Sequence, residues 1–168
     1  MNIKSKAKAF IKEYGLNSSK VISFVELSEV AVKLNYKIFR PKNAESKVIS
    51  ALDLQTEFKE LSAFTFARDN VRYIFIRSDV PNEVAAALLL HELAHIYLGH
   101  LEKSTTPAAS DEAEANMFTS YVIEEVYRRR PPHPLSIALA VSGILTLIMS
   151  AHISRSVVKL LKSKFDLI

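Results

Sequence analysis

Residues 84–95 of the chain read Val84-Ala85-Ala86-Ala87-Leu88-Leu89-Leu90-His91-Glu92-Leu93-Ala94-His95. If the first part of this stretch is helical, it has apolar residues on every face of the helix. This pattern predicts a helix that is buried on most sides. Helix-start signals precede it at Asp79, Pro81 and Asn82, and Gly99 is typical of a helix end. We therefore expect the rest of the fold to pack around this helix.

His91 and His95 form a candidate metal site on this helix. They lie four residues apart, just over one helical turn, so both imidazoles are on one face and can bind a single ion. His-Glu-x-x-His on a helix is typical of zinc sites in which the Glu, here Glu92, takes a proton from a water at the metal. The alternative is a chance match, which shuffling this composition would produce in roughly 1 chain in 100. A zinc site is the better interpretation.

A third ligand is sought downstream, because a catalytic zinc usually has three protein ligands and one open position. The segment Asp111-Glu112-Ala113-Glu114-Ala115-Asn116 offers carboxylates on a second predicted helix. Glu112 is the favoured ligand, and Glu114 and His100 are the alternatives. Asn116 lies four residues after Glu112, on the same helix face, and is predicted to hold one ligand histidine by its second ring nitrogen.

Together the two segments resemble the ImmA/IrrE family of metallopeptidases. The similarity runs through residues 91–100 and through Glu112, Ala115, Asn116 and Phe118, and continues more weakly from about Ala31 to the C-terminus. The resemblance implies a zincin-like fold. It also implies that His91, His95 and Glu112 bind zinc and that Glu92 is the general base. The chain departs from the family pattern after Phe118, where it lacks the usual small residue and the Leu-Leu-x-Pro helix ending.

The length of 168 residues suits one domain, residues 1–168. We divide it into an N-terminal helical extension (1–22), a zincin-like core (23–130) and a C-terminal helical segment (131–168). The absence of cysteine excludes a disulfide scaffold and thiolate zinc ligands, and it fits a cytoplasmic protein. The basic N-terminus is not followed by the apolar run of a secretory signal. A net charge of +4, without any base-reading motif, gives no reason to expect direct nucleic-acid binding.

Before the central helix the chain alternates between helix and strand signals. A first helix is predicted to end at Gly15, and Ser23 with Glu26 forms a capping-box signal for a second helix. That helix is predicted to bury five residues: Val25, Leu27, Val30, Ala31 and Leu34.

Strand signals follow the second helix. We predict a short strand at residues 36–39, a helix at residues 47–58 and a β-hairpin formed by residues 63–67 and 71–76. A second ligand helix is predicted from about Ser110 to Arg128. The expected class is therefore α+β, mostly helical, with a small antiparallel sheet packed on the His-Glu-x-x-His helix.

The C-terminal segment is open to three interpretations. Residues 135–151 contain no charged side chain, and a Ser-capped helix is predicted after them, at residues 155–164. We favour a buried helical hairpin over a membrane span or a partner-binding surface. His133 and His152 are not expected to bind metal.

The predicted function is hydrolysis of a peptide bond by a zinc metallo-endopeptidase. The family resemblance implies that the protein substrate is a regulatory protein, typically a DNA-binding transcriptional repressor of a phage or other mobile element. Two alternatives remain: a zinc-stabilised protein that binds such a partner without cleaving it, and a peptidase anchored in a membrane through residues 135–151.

Overall fold

The computed structural model describes residues 2–16, 22–68, 70–102 and 108–128. In chain order the elements are α1 (Ile3–Glu13), α2 (Phe24–Lys33), β1 (Lys37–Phe39), α3 (Lys47–Ala51), α4 (Gln55–Glu60), β2 (Ala63–Arg68), β3 (Val71–Ile76), α5 (Asn82–Leu98), a 3-10 turn (His100–Glu102) and α6 (Ala109–Arg128). The predicted α+β class, helices with a small sheet, is confirmed.

The predicted helix boundaries are confirmed where local signals are strong. The Ser23 hydroxyl accepts a hydrogen bond from the backbone N–H of Glu26, and the Glu26 carboxylate accepts one from the backbone N–H of Ser23. This reciprocal capping box satisfies two backbone donors that the first turn of α2 leaves free. Gly15 and Gly99 follow α1 and α5 with φ of 73° and 76°, a left-handed conformation that glycine adopts without a Cβ clash.

One residue of α2 does not follow the prediction. Val25 is 68% exposed, whereas Leu27, Val30 and Ala31 are buried. Because successive residues turn about 100° round a helix, Val25 lies on the side opposite Leu27. The prediction that Val25 points inward is therefore wrong.

The three strands form a mixed sheet in the order β1-β3-β2. The predicted hairpin is confirmed, since β2 and β3 pair antiparallel with Phe64 opposite Phe75. β1 pairs parallel with β3, so the prediction of a wholly antiparallel sheet is wrong for this strand. A parallel pair needs a long crossover connection, and the chain between β1 and β3 supplies one that includes α3, α4 and β2.

The helix predicted at residues 47–58 is two short helices. α3 ends at Ala51 and α4 begins at Gln55, with Asp53 between them at a φ of 56°. Asp tolerates this left-handed conformation better than most residues. The turn brings α3 and α4 to one side of the sheet, where Ile49 and Phe58 are buried together.

The sheet separates two apolar clusters, which we call the inner core and the outer core. The inner core lies between the sheet and helices α1, α2, α5 and α6, and it includes Ile74 and Ile76 of β3. The outer core lies against α3 and α4 and includes Phe64 and Phe75. Neighbouring residues of one strand enter different cores because side chains alternate across a sheet.

Helix α5 is at the centre of the inner core. Its residues from Ala85 to Leu90 are all buried, as predicted, and α5 contacts α2, α6, β2 and β3. α1 packs along α6 and places Phe10 in the same cluster. The site residues of α5 therefore lie on a helix that is fixed from several sides.

The C-terminal predictions at residues 131–168 lie outside the described residues. Among the helices that the structure describes, none is both long enough and apolar enough to cross a membrane.

Candidate metal centre

Three buried polar side chains converge where α5 meets α6. His91 and His95 come from the last two turns of α5, and Glu112 comes from the first turn of α6. All three are buried, with exposed fractions of 6%, 2% and 4%. The sequence pattern placed the two histidines on one helix face, and the close packing of α5 on α6 adds the carboxylate.

The three potential ligand atoms lie within hydrogen-bonding distance of one another. His91 Nε2 is 3.1 Å from His95 Nε2 and 3.2 Å from Glu112 Oε2. His95 Nε2 is 3.5 Å from the same carboxylate oxygen. Glu112 is therefore the member of the Glu112/Glu114 pair that joins the two histidines, and it completes a group able to hold one metal ion.

The spacing and chemistry of this group fit zinc. In a tetrahedral site with ligands at about 2.0–2.1 Å, neighbouring ligand atoms are about 3.3–3.4 Å apart, close to the three distances observed. Two imidazoles and one carboxylate are also a ligand set found in catalytic zinc sites. Burial by itself would raise the pKa of Glu112, but its contacts with His91 and His95 outweigh that effect and lower the pKa well below its usual range. The carboxyl group is thus in the ionised form that binds metal.

Glu92 is adjacent to the ligand pair in sequence but faces the sheet. Its Oε2 accepts a 2.8 Å hydrogen bond from the Thr65 hydroxyl of β2. Thr65 was not identified by sequence analysis. The available signal is its place in β2, where Thr65 is a polar residue between Ala63 and Ala67 on the face that packs towards the inner core.

His100 is not part of the three-ligand group. Gly99 ends α5 and His100 begins the following 3-10 turn, where the whole residue is 1% exposed. There the His100 Nδ1 lies 3.0 Å from His95 Nδ1, and its Nε2 lies 3.3 Å from Oε2 of Glu114. Burial lowers the pKa of His100 below its usual value, and the hydrogen bond with Glu114 opposes this shift only in part. Of the two alternative ligands, His100 thus contacts His95 and Glu114 contacts His100, and neither belongs to the group formed by His91, His95 and Glu112.

The hydrogen bond predicted between Asn116 and a ligand histidine is not formed. Asn116 Oδ1 and His91 Nδ1 are both buried, and neither has a hydrogen-bond partner in the described ranges. The second nitrogen of His95 is instead next to His100. The prediction for Asn116 is therefore wrong. The residue beside the second ring nitrogen of His95 is His100, which belongs to the turn after α5 and not to α6.

Comparison of the chain with protein-family models, with curated proteins and with solved structures finds no match. The family resemblance therefore stays a prediction, and function has to be inferred from the site.

Proposed function

We propose that the chain is a zinc-dependent metallo-endopeptidase with a zincin-like core. Its ligands would be His91, His95 and Glu112, and Glu92 would be the general base. The observation that carries the proposal is the convergence of three buried potential ligand atoms at 3.1–3.5 Å, on a helix that also contains a second carboxylate, Glu92, held by Thr65. A structural zinc site usually has four protein ligands, whereas the described part of the chain brings three together, which would leave a position for substrate or water.

Zinc held by His91, His95 and Glu112 would supply Lewis acidity for the scissile carbonyl and for the attacking water. Glu92 accepts the proton of the attacking water and delivers it to the leaving amine, which is general acid–base catalysis. Thr65 donates its hydroxyl hydrogen to one Glu92 oxygen and so orients the carboxylate. The buried ligand helix holds His91 and His95 in a fixed geometry.

The proposed substrate is a peptide segment that adds to the sheet as a further strand. β2 is at the end of the sheet order, and no described strand pairs with its outer side. Addition of a peptide to a strand edge is a general recognition mode, and it would place the peptide beside the strand that contains Thr65. From the family resemblance we infer a regulatory protein of the cytoplasm as substrate, such as the transcriptional repressor of a mobile element.

The decisive experiment is the Glu92→Gln variant. We expect it to keep the fold and the zinc but to cleave at least about 100-fold more slowly, the scale of general-base catalysis. Glu83→Gln is the matched control, since it removes an exposed carboxylate from the first turn of the same helix. Cleavage of purified candidate repressor proteins would be followed by mass spectrometry, and zinc content by metal analysis.

Two results would contradict the proposal. Wild-type cleavage rates in Glu92→Gln would exclude Glu92 as the base. If the wild-type protein and the variant both bound the repressor and neither cleaved it, the chain would be a zinc-stabilised binding protein. Recovery of an active protein in carbonate-resistant membranes would support the anchored alternative.

A further inference from the structure

A second series of buried contacts begins on the side of His95 that faces away from the metal group. His95 Nδ1 is 3.0 Å from His100 Nδ1, and His100 Nε2 is 3.3 Å from Glu114 Oε2. The side chain of His100 is 2% exposed and that of Glu114 is 50% exposed. We call this series the His95–His100–Glu114 chain. It leads from the metal group to the protein surface.

The hydrogen-bonding capacity of imidazole allows one consistent assignment of protons along this chain. A neutral imidazole has one N–H donor and one acceptor nitrogen. If His95 Nε2 binds metal, its proton must be on Nδ1, which then donates to His100 Nδ1. The proton of His100 is therefore on its Nε2, which donates to the Glu114 carboxylate. Each donor meets an acceptor, and the last acceptor is an anion.

We propose that His100 and Glu114 are positioning residues for His95, which hold its ring in the orientation and tautomer that present Nε2 to the metal. This rests on the proposed function, because it requires zinc at His91, His95 and Glu112. A metal-bound histidine commonly donates its other N–H to a neighbouring acceptor, and loss of that acceptor weakens metal binding. Here the Glu114 carboxylate at the surface would orient the His100 ring, and His100 in turn would orient the His95 ring.

The neighbouring groups favour Glu114 as the end of the chain. The other carboxylate near His100 is Asp111, whose Oδ1 lies 4.0 Å from His100 Nε2, beyond hydrogen-bonding distance. Oδ2 of Asp111 accepts a hydrogen bond from the backbone N–H of Ala108. His91 has no equivalent support, since its Nδ1 lacks a partner within the described residues. The two ligand histidines are therefore held in different ways.

The test measures zinc affinity by competition with a chromophoric chelator, for the complete wild-type protein and five variants. His100→Leu keeps an apolar side chain of similar size and removes both nitrogens, and we expect it to lower zinc affinity about 10-fold or more. His100→Asn restores an acceptor oxygen near His95 Nδ1 and should recover most of that loss. Glu114→Ala should cause a smaller loss, because its half-exposed carboxylate is screened by water. Glu124→Ala, an exposed carboxylate of the same helix, is its control.

The fifth variant, His95→Ala, separates this inference from the proposed function. If wild type and His95→Ala bind zinc equally, the metal site itself is wrong. If only His95→Ala loses zinc, while His100→Leu or Glu114→Ala bind as tightly as wild type and Glu124→Ala, the proposed site stands and the positioning role is overturned. Should His100→Leu fail to fold, the comparison of Glu114→Ala with Glu124→Ala decides the question.

Discussion

The two faces of the sheet bury different kinds of side chain. On the outer face, aromatic residues dominate: Phe64 and Phe75 stack with their ring centres 4.9 Å apart, and Tyr73 packs beside them. Two short helices cover this face. On the inner face the strands contribute Ile74, Ile76 and the hydroxyl of Thr65, and helix α5, which covers them, contains His91 and His95.

The two cores should therefore differ in the properties that they affect, namely the free energy of folding and the binding of metal. Among the described residues, the outer core includes none of the proposed ligands and not the general base, so we expect it to contribute mainly to the free energy of folding. The inner core contains the ligand helix, and loss of packing there affects both folding and the positions of the ligand atoms. Three predictions test this separation, from the largest expected effect to the smallest.

The largest effect is expected from removal of a ligand on the inner face. His95→Ala should leave much less than one zinc per chain, measured by metal analysis of the purified protein. Chelator should also lower the melting temperature of the wild type, since a ligand at 100 times its Kd stabilises the folded state by about 2.7 kcal/mol. His133→Ala is the control, because His133 is not predicted to bind metal. A full zinc complement in His95→Ala would contradict the proposed ligand set.

A smaller effect is expected from cavities on the two faces. Leu93→Ala in the inner core and Phe58→Ala in the outer core should each lower the free energy of unfolding by about 3 kcal/mol, measured by urea denaturation of the metal-free protein. Leu93 is fully buried on α5, on the helix face opposite His91 and His95, so its packing helps to hold the helix that carries them, whereas Phe58 is on α4. Zinc affinity should therefore fall in Leu93→Ala alone. Equal zinc affinities in the two variants would show that the faces are not separated in this way.

The smallest effect is expected at the edge of the inner core. Burial and the neighbouring Glu13 raise the pKa of Tyr14 to about 12, against 10 in the unfolded chain. The neutral phenol is favoured in the fold, so its contribution to stability is complete below pH 10 and is lost as the pH rises towards 12. Tyr14→Phe should reduce the loss of stability over this range in urea titrations. An unchanged pH dependence in Tyr14→Phe would refute the assignment.

Several features that depend only on neighbours along the chain were predicted correctly from the sequence. The run of apolar residues on every helix face correctly predicted that α5 is buried. The four-residue spacing correctly predicted that His91 and His95 share one face of this helix. Ser23 with Glu26 gave a helix start, since a capping box involves only one turn of backbone. Glu112 was favoured because a zinc site needs a third ligand, and the structure brings it to the two histidines.

The remaining features depend on contacts between distant parts of the chain. The break at Asp53 follows from the packing of α3 and α4 on the outer face, which no periodic pattern shows. The contact of His100 with His95 follows from the direction in which Gly99 turns the chain. Thr65 reaches Glu92 only because β2 packs against α5. Each depends on tertiary geometry that sequence periodicity does not contain.

The parallel pairing of β1 has a consequence for the order of folding. In the hairpin Arg68 is opposite Val71, so β2 and β3 can pair after closure of a very short loop, and hairpins form in about 1–10 μs. In the other pair Lys37 is opposite Tyr73, and closing that longer loop costs more entropy and takes longer. We therefore expect β1 to join the sheet last during refolding. Until it does, one side of β3 is an unpaired strand edge at which two partly folded chains can associate, so the yield of refolding should fall as protein concentration rises.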